Sequence, residues 1–195
     1  MIEELCQNLD STKGPGHDDI APCIVKSVSH EISKPLSQII NTCIEAGHYP
    51  DSWKIARVSP VFKQGDPTSF SNYRPISVLS VFSEIFEKII QKRILSYLHK
   101  QSSVLGTQYG FRQGHSTYMA IMDMVENVRE AWEKDEHCLG IFIDFKKAFD
   151  TVDFSILFAK LENLGIRGLP LKLIKSYFSK RKQYVIFKGV ESTLW

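Results

Sequence analysis

Residues 139–153 read Leu139-Gly140-Ile141-Phe142-Ile143-Asp144-Phe145-Lys146-Lys147-Ala148-Phe149-Asp150-Thr151-Val152-Asp153. The run before Asp144 is apolar on both faces, so residues 139–145 are expected to form a strand buried between two layers. A helical segment is expected to begin near Lys146. Asp144 then stands at the end of a hydrophobic strand. A buried carboxylate without a partner costs several kcal/mol, so it needs a cation, either a side chain such as Lys147 or a metal ion. A plain cap on the turn before the next helix is the alternative, and this stretch alone leaves both readings open. Asp150 and Asp153 fit the structural role better. Asp153 sits where a cap belongs, ahead of the periodic run Ile156, Leu157, Lys160, Leu161 and Leu164, which Gly165 closes.

Three further helical patterns surround this stretch. Ile32, Leu36, Ile39, Ile40, Cys43 and Ile44 recur at helical spacing, with Ser33 as the expected cap, Pro35 near the first turn and Gly47 at the end. Val81, Phe82, Ile85, Phe86, Ile89, Ile90, Ile94 and Leu98 form a stronger pattern, acidic early and basic late as the helix dipole favours. A third begins at Ser116 and carries Met119, Met122, Val125, Val128 and Trp132 on one face, expected to be core. Residues 55–62 and 183–190 are the other strand candidates. The expected class is α+β.

Composition narrows the function classes without choosing one. The chain has 195 residues, 43% of them hydrophobic, enough for a real core. Its net charge of +2 is too small to argue for nucleic acid by itself. The distribution is uneven: residues 160–195 hold 8 basic and 2 acidic side chains, whereas residues 1–53 hold 3 and 8. A solvated helix face accounts for such a basic stretch as readily as a polyanion partner does. Cys6, Cys23, Cys43 and Cys138 are widely spaced, without a C-x-x-C pair, and are expected to be reduced core thiols. Neither a leader nor an apolar run of bilayer length, roughly 18 residues, is visible, so a soluble intracellular protein with no membrane partner is expected. Gly14-Pro15-Gly16 lacks the ending of a P-loop, and Asp144 lacks the second acid of D-x-D phosphohydrolases.

The segment FIDFKKAFDTV, residues 142–152, resembles the first palm motif of the reverse transcriptases of non-LTR retrotransposons, F-x-D-x-x-K-A-F-D-x-V, at every fixed position. Three more blocks resemble the family in its order. These are PDSWKIARVSPVFKQGD with NYRPISVLSVFSEIFEKII (residues 50–66 and 72–90), QYGFRQGHST (108–117) and LGIRGLPLKLIKSYFSKRKQYV (164–185). The resemblance implies a right-hand polymerase. Residues 1–50 would be a helical extension of the fingers, 51–137 the fingers, and 138–195 the first part of the palm.

It implies an RNA-directed DNA polymerase acting on an RNA template, a DNA primer and a deoxynucleoside triphosphate. Asp144 is the implied catalytic residue and, with the Phe145 carbonyl, the implied ligand of two Mg²⁺ ions, hard cations that prefer oxygen donors. Phe149 would exclude a ribose 2′-hydroxyl. Lys63 and Arg74 would close over the triphosphate, and Arg112 with Lys180, Arg181 and Lys182 would contact nucleic acid.

Two departures accompany the matches. The family's amino-terminal block resembles K-x-x-G-x-D-G-I, and here Asp19 stands where a glycine is common. The P-Q-G block and the paired aspartates that follow in the family do not occur in these residues. The expectation is therefore a partial domain, inactive alone, with a silent nucleic-acid-binding fragment or a decayed element copy as the alternatives.

Overall fold

In the computed structural model, residues 1–100, 106–145 and 147–195 are described. They divide into two compact units, one of residues 1–91 with 153–195 and one of residues 92–152.

The first unit begins with two short helices, α1 (Ile2–Gln7) and α2 (Pro22–Ser27), and the long α3 (Ser29–Ala46). α3 starts a turn earlier than expected. Ser33 is not its cap; its hydroxyl donates to the His30 carbonyl at 2.9 Å, and Pro35 lies inside the helix. Burial of Leu36 and Ile40 and packing of Ile32 against the core hold the helix through the proline. Gly47 ends it in the left-handed region at φ 60°, and His48 N–H reaches back to the Cys43 carbonyl at 2.9 Å.

The sheet follows from period-two alternation. β1 (Ile55–Phe62) buries Ala56 and Val58 and turns Arg57 and Ser59 the other way. β2 (Tyr73–Val78), unforeseen as a strand, pairs antiparallel with it, Pro75 biasing Arg74 to extended backbone. β3 (Lys182–Phe187) pairs parallel with β1 on its other edge, and β4 (Val190–Glu191) pairs antiparallel with β3, giving the order β2-β1-β3-β4. The single strand expected over 183–190 is thus a hairpin. Lys188 and Gly189 both have positive φ, as a tight two-residue turn requires, and they reverse the chain.

Helix α4 (Val81–His99) matches its expected span and supplies the centre of the core through Val81, Ile85, Phe86 and Ile89. Tyr49 stacks on Phe86 at 4.9 Å between ring centroids, and Trp53 meets Phe86 edge-on at 5.9 Å. A polar thread crosses this core. The Tyr49 and Ser83 hydroxyls lie 2.8 Å apart, Tyr177 donates to Glu87 Oε1 at 2.9 Å, and Arg181 lies over the Tyr177 ring at 4.7 Å. Helices α6 (Phe154–Asn163) and α7 (Gly168–Phe178) complete the unit. α7, not foreseen, buries Leu171, Leu173 and Ile174.

The second unit contains α5 (Thr117–Glu133), capped by Ser116, whose hydroxyl accepts from Met119 N–H at 3.3 Å. The helix is where the periodicity puts it, but its apolar face is not core. Met119, Met122, Val125 and Val128 are exposed and Trp132 is 82% exposed. Periodicity identifies a face suited to burial; it does not supply the layer that covers it. The thiols depart similarly from the expected core placement: only Cys6 is buried, and Cys23 and Cys138 are exposed.

Burial raises the Glu87 carboxyl above its ordinary value of 4.5, against the lowering effect of the Tyr177 and Ser83 hydroxyls and the Arg181 charge. The folded chain therefore holds a proton the unfolded chain releases. Stability from this group is largest below 4.5 and is lost as pH rises through the raised folded value. Urea titrations should show the wild type losing stability relative to Glu87→Gln over that interval, since glutamine has no proton to lose.

Candidate nucleotide and metal site

Lys63 and Arg74 come from opposite arms of the β1–β2 hairpin. Arg74 pairs with Val61, and Lys63 N–H donates to the Asn72 carbonyl at 2.8 Å, continuing the ladder by one rung. Side chains alternate along strands and directly paired residues share a face, so Val61, Lys63 and Arg74 project from the same side. That side is the one away from Ala56 and Val58, and both cations are exposed. The same rule adds residues that sequence reading missed. Arg57 pairs with Tyr184 and Ile55 with Lys182, so Arg57, Tyr184 and Lys182 share this outward face. The alternation within 55–62 was a legible signal for Arg57; the parallel pairing that brings β3 alongside was not.

The other basic candidates have different surroundings. Arg181 donates to the Tyr177 carbonyl at 3.3 Å and covers that ring, so its guanidinium is engaged in packing. Lys180 occupies a left-handed backbone position at φ 52°. Arg112, in the second unit, donates to the Gln108 carbonyl at 3.0 Å and braces its own loop.

Asp144, Phe145 and Phe149 also belong to the second unit. The strand expected over 139–145 is not formed: the segment has no regular structure and its apolar side chains are exposed, Leu139 by 85% and Phe142 by 83%. A strand apolar on both faces needs neighbours to pair with and layers to cover it, and the described residues of this unit provide no strand partner. Asp144 is consequently solvent-facing, not a buried carboxylate, and makes no ion pair among the described residues. Lys146, where a helical segment was expected to begin, lies outside the described residues. Residues 147–151 form turns instead, with Asp150 N–H donating to the Lys147 carbonyl at 2.9 Å. Phe149 is exposed, and it meets Phe111 in a T-shaped pair with ring centroids 5.9 Å apart.

The donor set can be weighed against a magnesium site. Asp144 and the Phe145 carbonyl are hard oxygen donors of the right kind, but no group of three or more His, Cys, Asp or Glu suited to a metal occurs among the described residues. One carboxylate and one carbonyl are too few for two divalent ions.

Residues 61–193 match the family described as reverse transcriptase (RNA-dependent DNA polymerase). The chain belongs to the reverse transcriptase family. Among its relatives, the probable RNA-directed DNA polymerase from transposon X-element of Drosophila melanogaster is 31% identical over 196 residues, covering 98% of this chain and 21% of the relative. The probable RNA-directed DNA polymerase from transposon BS of the same species is 31% identical, covering 93% and 20%. The RNA-directed DNA polymerase from mobile element jockey, again of that species, is 29% identical, covering 99% and 21%. The chain thus spans about a fifth of the length of these non-LTR retrotransposon relatives, and it carries part of a reverse transcriptase domain. No helix among its described residues is long and apolar enough to cross a membrane.

Within this reverse transcriptase segment, local geometry explains the amino-terminal block. A Cβ at Gly16 would come within 2.7 Å of the Leu79 carbonyl oxygen and the Ser80 nitrogen, so only glycine fits. Asp18 accepts from the Ser80 hydroxyl at 2.5 Å, tying the block to the start of α4. Asp19 has φ 54°, the left-handed conformation that favours glycine.

The acids of the 144–153 stretch separate by role. Asp153 caps α6, accepting from the Ser155 hydroxyl at 2.6 Å, Ile156 N–H at 3.3 Å and Ser155 N–H at 2.8 Å, and these donors, the hydroxyl first, hold its carboxyl below the usual range. Replacing it, Asp153→Ala, should cost about 1 kcal/mol in denaturant titration. Asp144→Ala should leave stability within about 0.5 kcal/mol, as for an exposed side chain with no ion pair among the described residues.

Proposed function

We propose that this chain contributes the fingers and the opening of the palm to a right-hand, RNA-directed DNA polymerase. In this reading residues 1–50 extend the fingers, 51–137 form them, and 138–195 begin the palm, with β3 of the last segment completing the sheet begun by β1. The register of the β1–β2 hairpin carries the reading, because it sets Lys63 and Arg74 side by side on an open face. Two fixed cations on a rigid hairpin suit a triphosphate: they bind the anion in the ground state and offset the charge that develops on the transferred group. The matched block around Asp144 supplies the second support.

The substrates in this reading are a deoxynucleoside triphosphate, an RNA template and a DNA primer. Asp144 and the Phe145 carbonyl would each give an oxygen to Mg²⁺, which when bound activates the primer hydroxyl and holds the triphosphate. Further carboxylates must complete that set. Phe149 would lie under the sugar and clash with a 2′-hydroxyl, with Phe111 in a T-shaped pair beside it. Lys180, Arg181, Lys182 and Arg112 would contact nucleic acid, Arg181 through whatever part of its guanidinium Tyr177 leaves open.

Calorimetric titration of the 195-residue chain with a Mg²⁺-bound deoxynucleoside triphosphate tests the reading. Lys63→Ala and Arg74→Ala should each weaken binding about tenfold, the size of one lost charge-assisted hydrogen bond. Unchanged affinity in both would remove the assignment. Primer extension by the same chain should be absent; incorporation that disappears in Asp144→Ala would show that the carboxylate set is complete without further residues.

A further inference from the structure

The outward face of the sheet holds more than the two cations of the nucleotide reading. Lys182 stands level with Ile55, Tyr184 with Arg57, Arg74 with Val61, and Lys63 one alternate position beyond. Four basic side chains therefore lie along one face over about 26 Å, at roughly 3.3 Å per strand residue. A half-exposed tyrosine stands among them, next to Arg57. Spaced cations around an aromatic ring suit an unpaired nucleic-acid strand, whose phosphates meet the cations while a base stacks on the ring. A duplex would keep its bases out of reach of Tyr184.

Two carboxylates work against a polyanion here: Glu191 pairs with Ile186 and so shares the face of Tyr184 and Lys182, and Asp19 stands beside Arg57. Asp19 Oδ1 lies 3.8 Å from Arg57 Nη1, and the aspartate is 86% exposed. Asp19 is also the residue that departs from the glycine of the family block, at a position whose left-handed backbone favours glycine. The loop bearing it is anchored independently, by Gly16 against the backbone at 79–80 and by Asp18 on Ser80. Its carboxylate is therefore held beside Arg57 whether or not it pairs.

We propose that the face bearing Arg57, Tyr184 and Lys182 grips a single-stranded nucleic acid, and that Asp19 competes with a phosphate for Arg57 and weakens the grip. This rests on the polymerase reading, and it assigns to Arg57 and Asp19 roles that the nucleotide site does not need. An exposed pair at this separation is weak, so the competition is modest.

Fluorescence anisotropy of the 195-residue chain with labelled oligo(U) and oligo(dT) of about 12 nucleotides, within the usual span of one small binding domain, tests it. Asp19→Asn keeps a side chain that tolerates the left-handed region and removes only the charge. It should tighten binding roughly twofold to fivefold at low salt. The gain should appear with both oligomers, because Arg57 reads phosphate and not sugar. Asp19→Gly, which also relieves the backbone, should show the same gain.

Arg57→Gln should weaken binding, reduce the salt slope by about 0.7, and abolish the effect of Asp19→Asn in the double variant, while Arg57→Lys should retain most of the affinity. The proposal is overturned if Asp19→Asn leaves affinity unchanged, if its gain survives Arg57→Gln, or if it appears with only one oligomer. Triphosphate binding that still depends on Lys63 and Arg74 would show that the polymerase reading stands when this one falls. Loss of both dependences would sink the two together.

Discussion

The pairing of β1 on both edges is the constraint on which the first unit depends. With β2 antiparallel on one side and β3 parallel on the other, the facing of one residue, Ala56 or Arg57, determines the facing of every side chain on three strands. Burial of Ala56 and Val58 makes the choice: a slip of one residue would drive Arg57 into the core and expose both apolar side chains. The same pairing lines up Lys63, Arg74, Arg57 and Lys182, which are far apart in sequence. The face proposed to bind nucleotide and nucleic acid is thus the solvent side of a register enforced from the core side.

The core that enforces it is aromatic and carries a polar thread. Tyr49, Trp53, Phe82, Phe86 and Tyr177 meet in stacked and edge-on pairs, and the Tyr49, Ser83, Glu87 and Tyr177 polar groups satisfy one another. Burial raises the Tyr177 hydroxyl to about 12, with the Glu87 charge acting in the same direction, so it stays a donor at any physiological pH. Arg181 closes the thread. A basic residue in a basic stretch can thus serve packing, which charge counting along the sequence does not reveal.

How much was legible depended on whether the signal was local. Helix α4, strand β1, the start of α5 at Ser116 and the Asp153 cap rest on periodicity and on donors within three residues, and each is where the sequence puts it. β2 was harder because its alternation is broken by Pro75, and α7 because Gly168 and Pro170 look like punctuation while standing in a helix's first turn. The parallel pairing of β1 with β3 spans more than a hundred residues and leaves no local mark. The apolar run at 139–143 was over-read for the opposite reason: its composition states what environment would suit it, not that the environment is present.

That distinction bears on Asp144. A carboxylate at a strand's end is aimed by the strand, and a strand is aimed by its partners, because an unpaired extended segment has no hydrogen bonds to hold its direction. With residues 139–145 irregular and exposed, no sheet pairing among the described residues aims the Asp144 oxygens and the Phe145 carbonyl together, whereas Mg²⁺ demands near-octahedral geometry at short range. In the proposed reading, strand formation and metal binding would therefore be linked. Covering 139–145, together with the exposed Met119–Val128 side of α5, would bury a large apolar area, and the free energy of that burial is the natural source for orienting the Asp144 carboxylate. In the proposed reading the apolar run would belong to the metal site, since the layers that bury it are what would make Asp144 a ligand.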